Sequence, residues 1–166
     1  TYCMRFDLRL AYANGVFLLT WSEFSNTMGI RFDQQLNLLD AEPLELVPES
    51  VVESLASNGS QFYAVWNGLQ PDWSMAATGS RISSAGVMLD GEGVNISQQN
   101  QPEANTEMGV VWDGSNWKAY WGYQGVSVAR IAPDGQVLDP GGVQFAGMIP
   151  GPGAAVLTGS LQIVWS

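Results

Sequence analysis

Apolar and polar positions alternate along four short runs of the chain. In the first, Phe17, Leu19 and Trp21 fall on one face and Leu18 and Thr20 on the other; in the third, Trp117, Ala119 and Trp121 take the first face. Period two with both faces largely apolar predicts strands buried between two sheets. Each run follows a turn signal, Asn14-Gly15, Asn58-Gly59, Asp113-Gly114 or Thr158-Gly159, and each ends in a tryptophan: Trp21, Trp66, Trp121 or Trp165. Asn-Gly and Asp-Gly are strong hairpin signals because both turn residues tolerate positive φ. The segments before the turns are rich in small residues, among them Ala11, Ala13, Ala56, Ser57, Gly109, Ala154 and Ala155. Small side chains suit an innermost strand, where neighbouring sheets converge.

A second block recurs downstream of each tryptophan. The stretch from Arg31 to Asp40 aligns without a gap to Arg81–Asp90 and to Arg130–Asp139, at offsets of 50 and 49 residues. Each copy opens with Arg and then Phe or Ile, turns, and closes in Leu-Asp. The register continues through Leu44 and Leu46, Val94 and Ile96, Val143 and Phe145. The block reads as a second hairpin, turning at Ser84-Ala85-Gly86 and at Pro133-Asp134-Gly135. Leu36 stands where Gly86 and Gly135 sit, so the first copy's turn is expected to differ. Proline-containing joints at Pro48, Pro102, and Pro150 with Pro152 separate the copies. The units run over 7–47, 48–101, 102–149 and 150–166, the last ending after its Trp run. Residues 48–55 carry helix-start features, Pro in the first turn and early acids. The repeat register assigns their second half to a strand instead.

Four strands per unit at this period predict an all-β fold, a β-propeller of four-stranded antiparallel blades. Three blades are full and a fourth is half present, so a larger propeller is expected, completed by the same parent protein or by another chain. The pattern resembles a broad group of bacterial secreted propellers. Their blades run from an Asn/Asp-Gly turn through a strand ending in Trp to an Arg-Ile hairpin closing in Leu-Asp. That resemblance spans nearly the whole chain and speaks to fold, hardly to function.

Composition narrows the chemistry. Six Lys and Arg stand against 16 Asp and Glu, a net charge of −10 with no His. Nucleic acid, whose phosphates attract basic surfaces, is an unfavourable partner. The missing His removes the commonest proton shuttle and metal ligand. One cysteine, Cys3, excludes an intramolecular disulfide and any multi-Cys metal site. No apolar run approaches the ~20 residues of a spanning helix. Charged residues are sparse at 13%, and the polar uncharged surface with seven tryptophans fits a secreted, periplasmic or cell-surface protein. The 166 residues include no signal peptide, which is expected to have been removed or to lie upstream.

Candidate functional residues divide by whether they follow the repeat. Trp21, Trp66, Trp121 and Trp165 recur in register and are expected in the core between blades, as is Trp117 at the position of Phe17 and Phe62. Arg31, Arg81 and Arg130 each precede an aspartate, Asp40, Asp90 or Asp139, by nine residues. A cross-strand ion pair is the simplest reading; a ring of arginines gripping an acidic ligand is the alternative. Trp73 and Trp112 lie outside the repeat, Trp73 in an insertion from Gln70 to Gly79, and are the candidate ligand-binding aromatics. Asp90–Gly93 and Asp113–Asn116 offer oxygen ligands for a structural calcium without matching a calcium-loop spacing; no other cofactor is expected. Asn58-Gly59-Ser60 and Asn95-Ile96-Ser97 match the glycosylation pattern. No catalytic constellation is visible. The expected function is a non-catalytic scaffold for binding or assembly, taking a protein or glycan ligand. The alternative is a carbohydrate-binding module, with a glycan-active enzyme third.

Overall fold

A computed structural model of the chain describes residues 7–98, 107–122, 125–145, 154–157 and 160–163. The described residues form strands and turns, with no helix among them. The first sheet contains β1 (Arg9–Ala13), β2 (Val16–Glu23), β3 (Asn26–Phe32) and β4 (Leu44–Val47). The second contains β5 (Val52–Ser57), β6 (Gln61–Leu69), β7 (Met75–Ser83) and β8 (Val94–Asn95). The third contains β9 (Glu107–Trp112), β10 (Trp117–Gly122), β11 (Val126–Ile131) and β12 (Val143–Phe145). A further pair, β13 (Ala154–Leu157) and β14 (Ser160–Ile163), follows. Every pairing is antiparallel and follows chain order, so each sheet is an up-and-down meander; no sheet closes on itself.

Turn chemistry sets where each meander reverses. Asn14 (φ 51°) and Gly15 (φ 82°) both take left-handed backbone, closing β1 onto β2 with Ala13 opposite Val16. The second and third Asx-Gly turns differ. They are four-residue loops, because Ser57 pairs with Phe62 and Trp112 with Trp117. There the Asx side chain takes over: Asn58 Oδ1 accepts the N–H of Ser60 and of Gln61, and Asp113 Oδ1 accepts those of Ser115 and Asn116. Residues 48–55 enter β5 rather than a helix. Buried Thr27 fastens that joint. Its hydroxyl donates to the Ser50 carbonyl and accepts from the Val52 N–H, both at 2.9 Å.

The outer hairpin is shorter than the sequence suggests. After β3 the chain turns, touches back through a single bridge, Phe32 to Leu38, and loops through Asp40 before β4 pairs near the start of β3. Ile82–Met88 and Ile131–Val137 repeat that bridge. The three turns also share one hydrogen-bond pattern, so the expected difference in the first is absent: Leu36 adopts φ 65°. Asp33 Oδ1, accepting the N–H groups of Gln35 and Asn37, supports the turn there. The insertion from Gln70 to Gly79 is mostly strand. Asn67–Leu69 pair with Met75–Ala77, which lengthens β6 and β7 to nine residues each and leaves only Gln70–Ser74 as the turn.

The cores lie between sheets. The second sheet turns Phe62, Ala64, Trp66 and Ile82 toward Ala13, Leu18, Leu46 and Val47 of the first. The third turns Met108, Val110, Trp117, Ala119, Trp121 and Ile131 toward Tyr63, Val65, Ala77 and Ile96 of the second. First strands of successive sheets lie side by side, β1 by β5, β5 by β9 and β9 by β13. Backbone and side-chain bonds stitch them, Asn14 N–H to the Gly59 carbonyl (2.8 Å) and Arg9 Nε–H to the Glu53 carbonyl (2.6 Å).

Trp66 and Trp121 are each 2% exposed. Trp21, at the same repeat position, is less fully covered; it is half-buried. The reason is geometric. Each of these tryptophans faces the preceding sheet, and no described sheet precedes the first. Trp165 lies outside the described residues.

Truncating Trp66 to Ala is expected to cost roughly 3–5 kcal/mol, the range for a large aromatic cavity, and Trp21→Ala no more than about half as much. Urea denaturation of the two variants checks this; equal losses would contradict the assignment of faces. The buried Tyr63 hydroxyl has no hydrogen-bond partner among the described residues, and burial holds its pKa well above the usual phenol value. Because a buried unsatisfied hydroxyl costs about 1–3 kcal/mol, Tyr63→Phe is expected to be neutral or stabilising in the same assay.

Candidate functional site

The insertion in the second unit puts an aromatic where a ligand could meet it. Trp73 is 81% exposed and holds φ 66°, a left-handed conformation that is an outlier for a bulky residue. A closed turn enforces it. Gln70 N–H donates to the Ser74 carbonyl (2.8 Å), Trp73 N–H to the Gln70 carbonyl (2.9 Å), and Ser74 N–H to Asp72 Oδ1 (3.1 Å). The Gln70 amide then bridges outward, donating to the Gly68 carbonyl and accepting from Asn95 Nδ2 on β8. Backbone strain of this kind costs on the order of 1–3 kcal/mol and clusters at binding sites.

Beneath Trp73 a cleft of 880 Å³ runs along the outer edges of the first and second sheets. Leu46, Val47, Trp66 and Met88 contribute its apolar lining. Glu49, Gln70, Glu92 and Asn95 supply polar groups, and no Lys or Arg among the described residues lines it. Glu49, on the joint after β4, also holds left-handed backbone at φ 53° with its N–H given to Asn26 Oδ1 (3.0 Å). The volume is that of a small-ligand site.

Trp112, the other aromatic candidate, is not brought to this cleft. It packs edge-on against Trp117 with ring centroids 5.0 Å apart, beside the core between the second and third sheets. Phe24 is a residue the sequence reading missed. It is 97% exposed at φ 56°, on the β2–β3 turn that corresponds to the Trp73 turn. An aromatic shortly after the repeated Trp was the available signal, since Trp21 is followed by Phe24 and Trp66 by Trp73.

The arginines do not form an open ring. Arg31 Nε and Nη2 donate to Asp40, and the Arg31 backbone N–H donates to Asp40 Oδ2 at 2.8 Å. Arg81 does the same with Asp90, and Arg130 with Asp139. Each carboxylate therefore closes the outer hairpin on itself. Arg31 reaches further, donating Nη1–H to the Ser84 carbonyl in the second sheet (3.0 Å). The side-chain bond from Arg31, joined by its backbone N–H, holds Asp40 below the usual carboxylate range against the opposing pull of burial. The Arg130 bond takes Asp139 down to about 2. A fourth pair, Lys118 with Asp113, was not anticipated. Burial alone would lift Asp113, but the Lys118 ammonium and the N–H groups of Asn116 and Ser115 outweigh it and hold the carboxyl at about 2.

The two candidate calcium loops are thus engaged otherwise, Asp90 with Arg81 and Asp113 with Lys118. No group of three or more His, Cys, Asp or Glu is gathered for a metal among the described residues. No helix among them is long and apolar enough to cross a membrane. Asn58 sits in an exposed turn; Asn95 is half-buried and turned toward Gln70. Cys3 lies outside the described residues.

No family model matches the chain, and no curated protein matches it. A solved structure that resembles it is a protein of unknown function from Bacteroides caccae, with a TM-score of 0.52 and 15% sequence identity. The match covers 89% of this chain and 48% of that one, so this chain spans about half the length of its neighbour. At that identity the likeness concerns the fold alone.

The ion pairs predict an acid limb. Asp40, Asp113 and Asp139 have folded pKa values below the ordinary 3.8. Their contribution is present above about pH 4 and is lost as the pH falls toward about 2, since the unfolded chain then binds more protons. Urea midpoints measured from pH 6 down to pH 2 are expected to fall chiefly in that window, with a shallower fall in Asp113→Asn.

Proposed function

We propose that the chain is a sector of a β-propeller acting as a non-catalytic scaffold for binding and assembly, in a secreted, periplasmic or cell-surface setting. One observation carries the reading: the first sheet has an uncovered apolar face. Leu10 and Tyr12 of β1, Phe17, Leu19 and Trp21 of β2, and Met28, Ile30 and Phe32 of β3 stand in register on it. Tyr12, Phe17 and Phe32 stack across the strands at 4.8 and 5.2 Å. All eight are half-buried or exposed, and no other described sheet packs over them. In the second and third sheets the corresponding face is covered by the sheet before it. An apolar face of this extent marks an interaction surface.

The occupant is a further blade of the same repeat type, presenting a face like that of Ala13, Leu18, Leu46 and Val47. Rings close with ~4–8 blades, and the longer Bacteroides caccae protein is compatible with that count. Leu36 adds a constraint on the occupant. The glycines at its position, Gly86 and Gly135, lie against side chains of the preceding sheet; a Cβ there would meet Leu44 Cδ1 at 2.5 Å and Arg31 Nε at 3.3 Å in the one case and Arg81 Nε at 2.8 Å in the other. Leu36, 73% exposed, would strike such an arginine. The completing blade therefore carries smaller side chains at that point. The absence of His from the sequence and the pairing of Asp40, Asp90, Asp113 and Asp139 with cations support a non-catalytic role.

Without its occupant, the purified 166-residue chain is expected to bind a hydrophobic dye and to scatter light as particles heavier than 17.9 kDa. Leu19→Lys, which puts a charge on the open face, is expected to lower both while keeping the β-sheet circular dichroism. A 17.9 kDa particle of the unmodified chain, cooperative in unfolding and silent to the dye, would overturn the proposal.

A further inference from the structure

The cleft under Trp73 is independent of which blade covers the first sheet, and its chemistry is one-sided. Among the described residues its lining carries two carboxylates, Glu49 and Glu92, and no Lys or Arg. The whole chain carries a net charge of −10, so the surrounding field also favours a positive ligand. Amide groups at Gln70 and Asn95 tie the rim together through their own hydrogen bond, which fixes the turn that presents Trp73. The backbone that carries the indole is therefore held. Two non-glycine residues of the cleft, Glu49 and Trp73, adopt left-handed backbone. The apolar lining provides a base on which alkyl groups can pack.

We infer that this cleft binds an organic cation of the alkylammonium class, with the Trp73 indole lying against the cationic head and Glu49 and Glu92 supplying counter-charge. A cation over an indole face is attracted by the ring quadrupole, and loss of water from the site strengthens it. A neutral sugar would gain the aromatic contact and hydrogen-bond the carboxylates, but would leave their charge uncompensated. That asymmetry favours the cation over a glycan. The ammonium group is found both on free choline-like molecules and on methylated lysine side chains, and the cleft opens to solvent widely enough for either.

Isothermal titration of the full chain with choline, and separately with a short peptide bearing trimethyl-lysine, tests the inference and distinguishes the two sources. Saturable binding is expected for at least one of them, weakened by added salt because the carboxylates are exposed. Trp73→Ala is expected to weaken it by about two- to fivefold, in line with loss of a cation–π contact at an exposed site. Glu49→Gln and Glu92→Gln are each expected to weaken it less. All three positions are exposed, and unchanged circular dichroism verifies that the variants fold. Phe24→Ala removes an equally exposed aromatic that does not line the cleft and is expected to leave binding unchanged. The uncharged isostere of choline, 3,3-dimethylbutanol, is expected to bind far more weakly. Equal binding of that isostere or of a neutral oligosaccharide, binding indifferent to Trp73→Ala, or no binding of either cation at millimolar concentration would each overturn the assignment.

Discussion

The structure depends on one repeated contact, the tryptophan-bearing face of one sheet laid on the small and aliphatic face of the sheet before it. A single four-stranded meander cannot stand alone, because both of its faces are apolar. Trp66 on Leu18, Leu46 and Val47, and Trp121 on Val65, Ala77 and Ile96, belong to the two buried clusters that answer that need. Each core is shared between neighbours, so stability passes along the array as a series of nearest-neighbour terms. The first strands can lie side by side only because residues such as Ala11, Ala13 and Ala56 keep them thin.

The outer hairpins add a second, polar layer of order. Each Arg–Asp pair folds its own hairpin shut, and the guanidinium then lies beneath the next sheet's turn. Gly86 stands against Arg31 and Gly135 against Arg81. Glycine at those turns answers two demands at once, positive φ and close approach to a neighbour's side chain. Leu36 shows that the first demand alone can be met by another residue, provided that the second is absent. The recurring arginine is thus an alignment device between sheets as much as a stabiliser within one.

The sequence made the strand pattern, the four-strand units and the Arg–Asp pairs legible because each is a local feature repeated at a fixed offset. It could not separate Trp21 from Trp66, since burial belongs to the neighbour and not to the letter. The reach of β7 was hidden for another reason. Met75–Gly79 is poor in β-branched residues, and its pairing with β6 is decided by the burial of Ala76 and Ala77 between sheets. Trp112 looked free of the repeat, yet tertiary packing against Trp117 claims it. Of the candidate site, Trp73 was visible as a departure from the repeat. Its cleft was not, because Glu49 and Glu92 come from a joint and a turn that the repeat alignment treats as connections.

That division follows from where the physical constraints lie. Inner strands touch two neighbours, so a changed side chain there disturbs two interfaces. The outward turns touch water on most sides, and their lengths and residues can change at little cost to either core. The second unit uses that freedom by extending β6 and β7 together, pair by pair, so that the added length remains hydrogen-bonded and carries its turn outward as a rigid arm. Trp73 at the tip is consequently positioned by sheet geometry and not by a flexible loop. Phe24 occupies the same kind of turn on a hairpin that extends only two residues past the tryptophan, to Glu23 opposite Asn26, and it lines no cleft. The two aromatics differ by one further strand pair, Leu69 with Met75, and by a turn of five residues, Gln70–Ser74, in place of two.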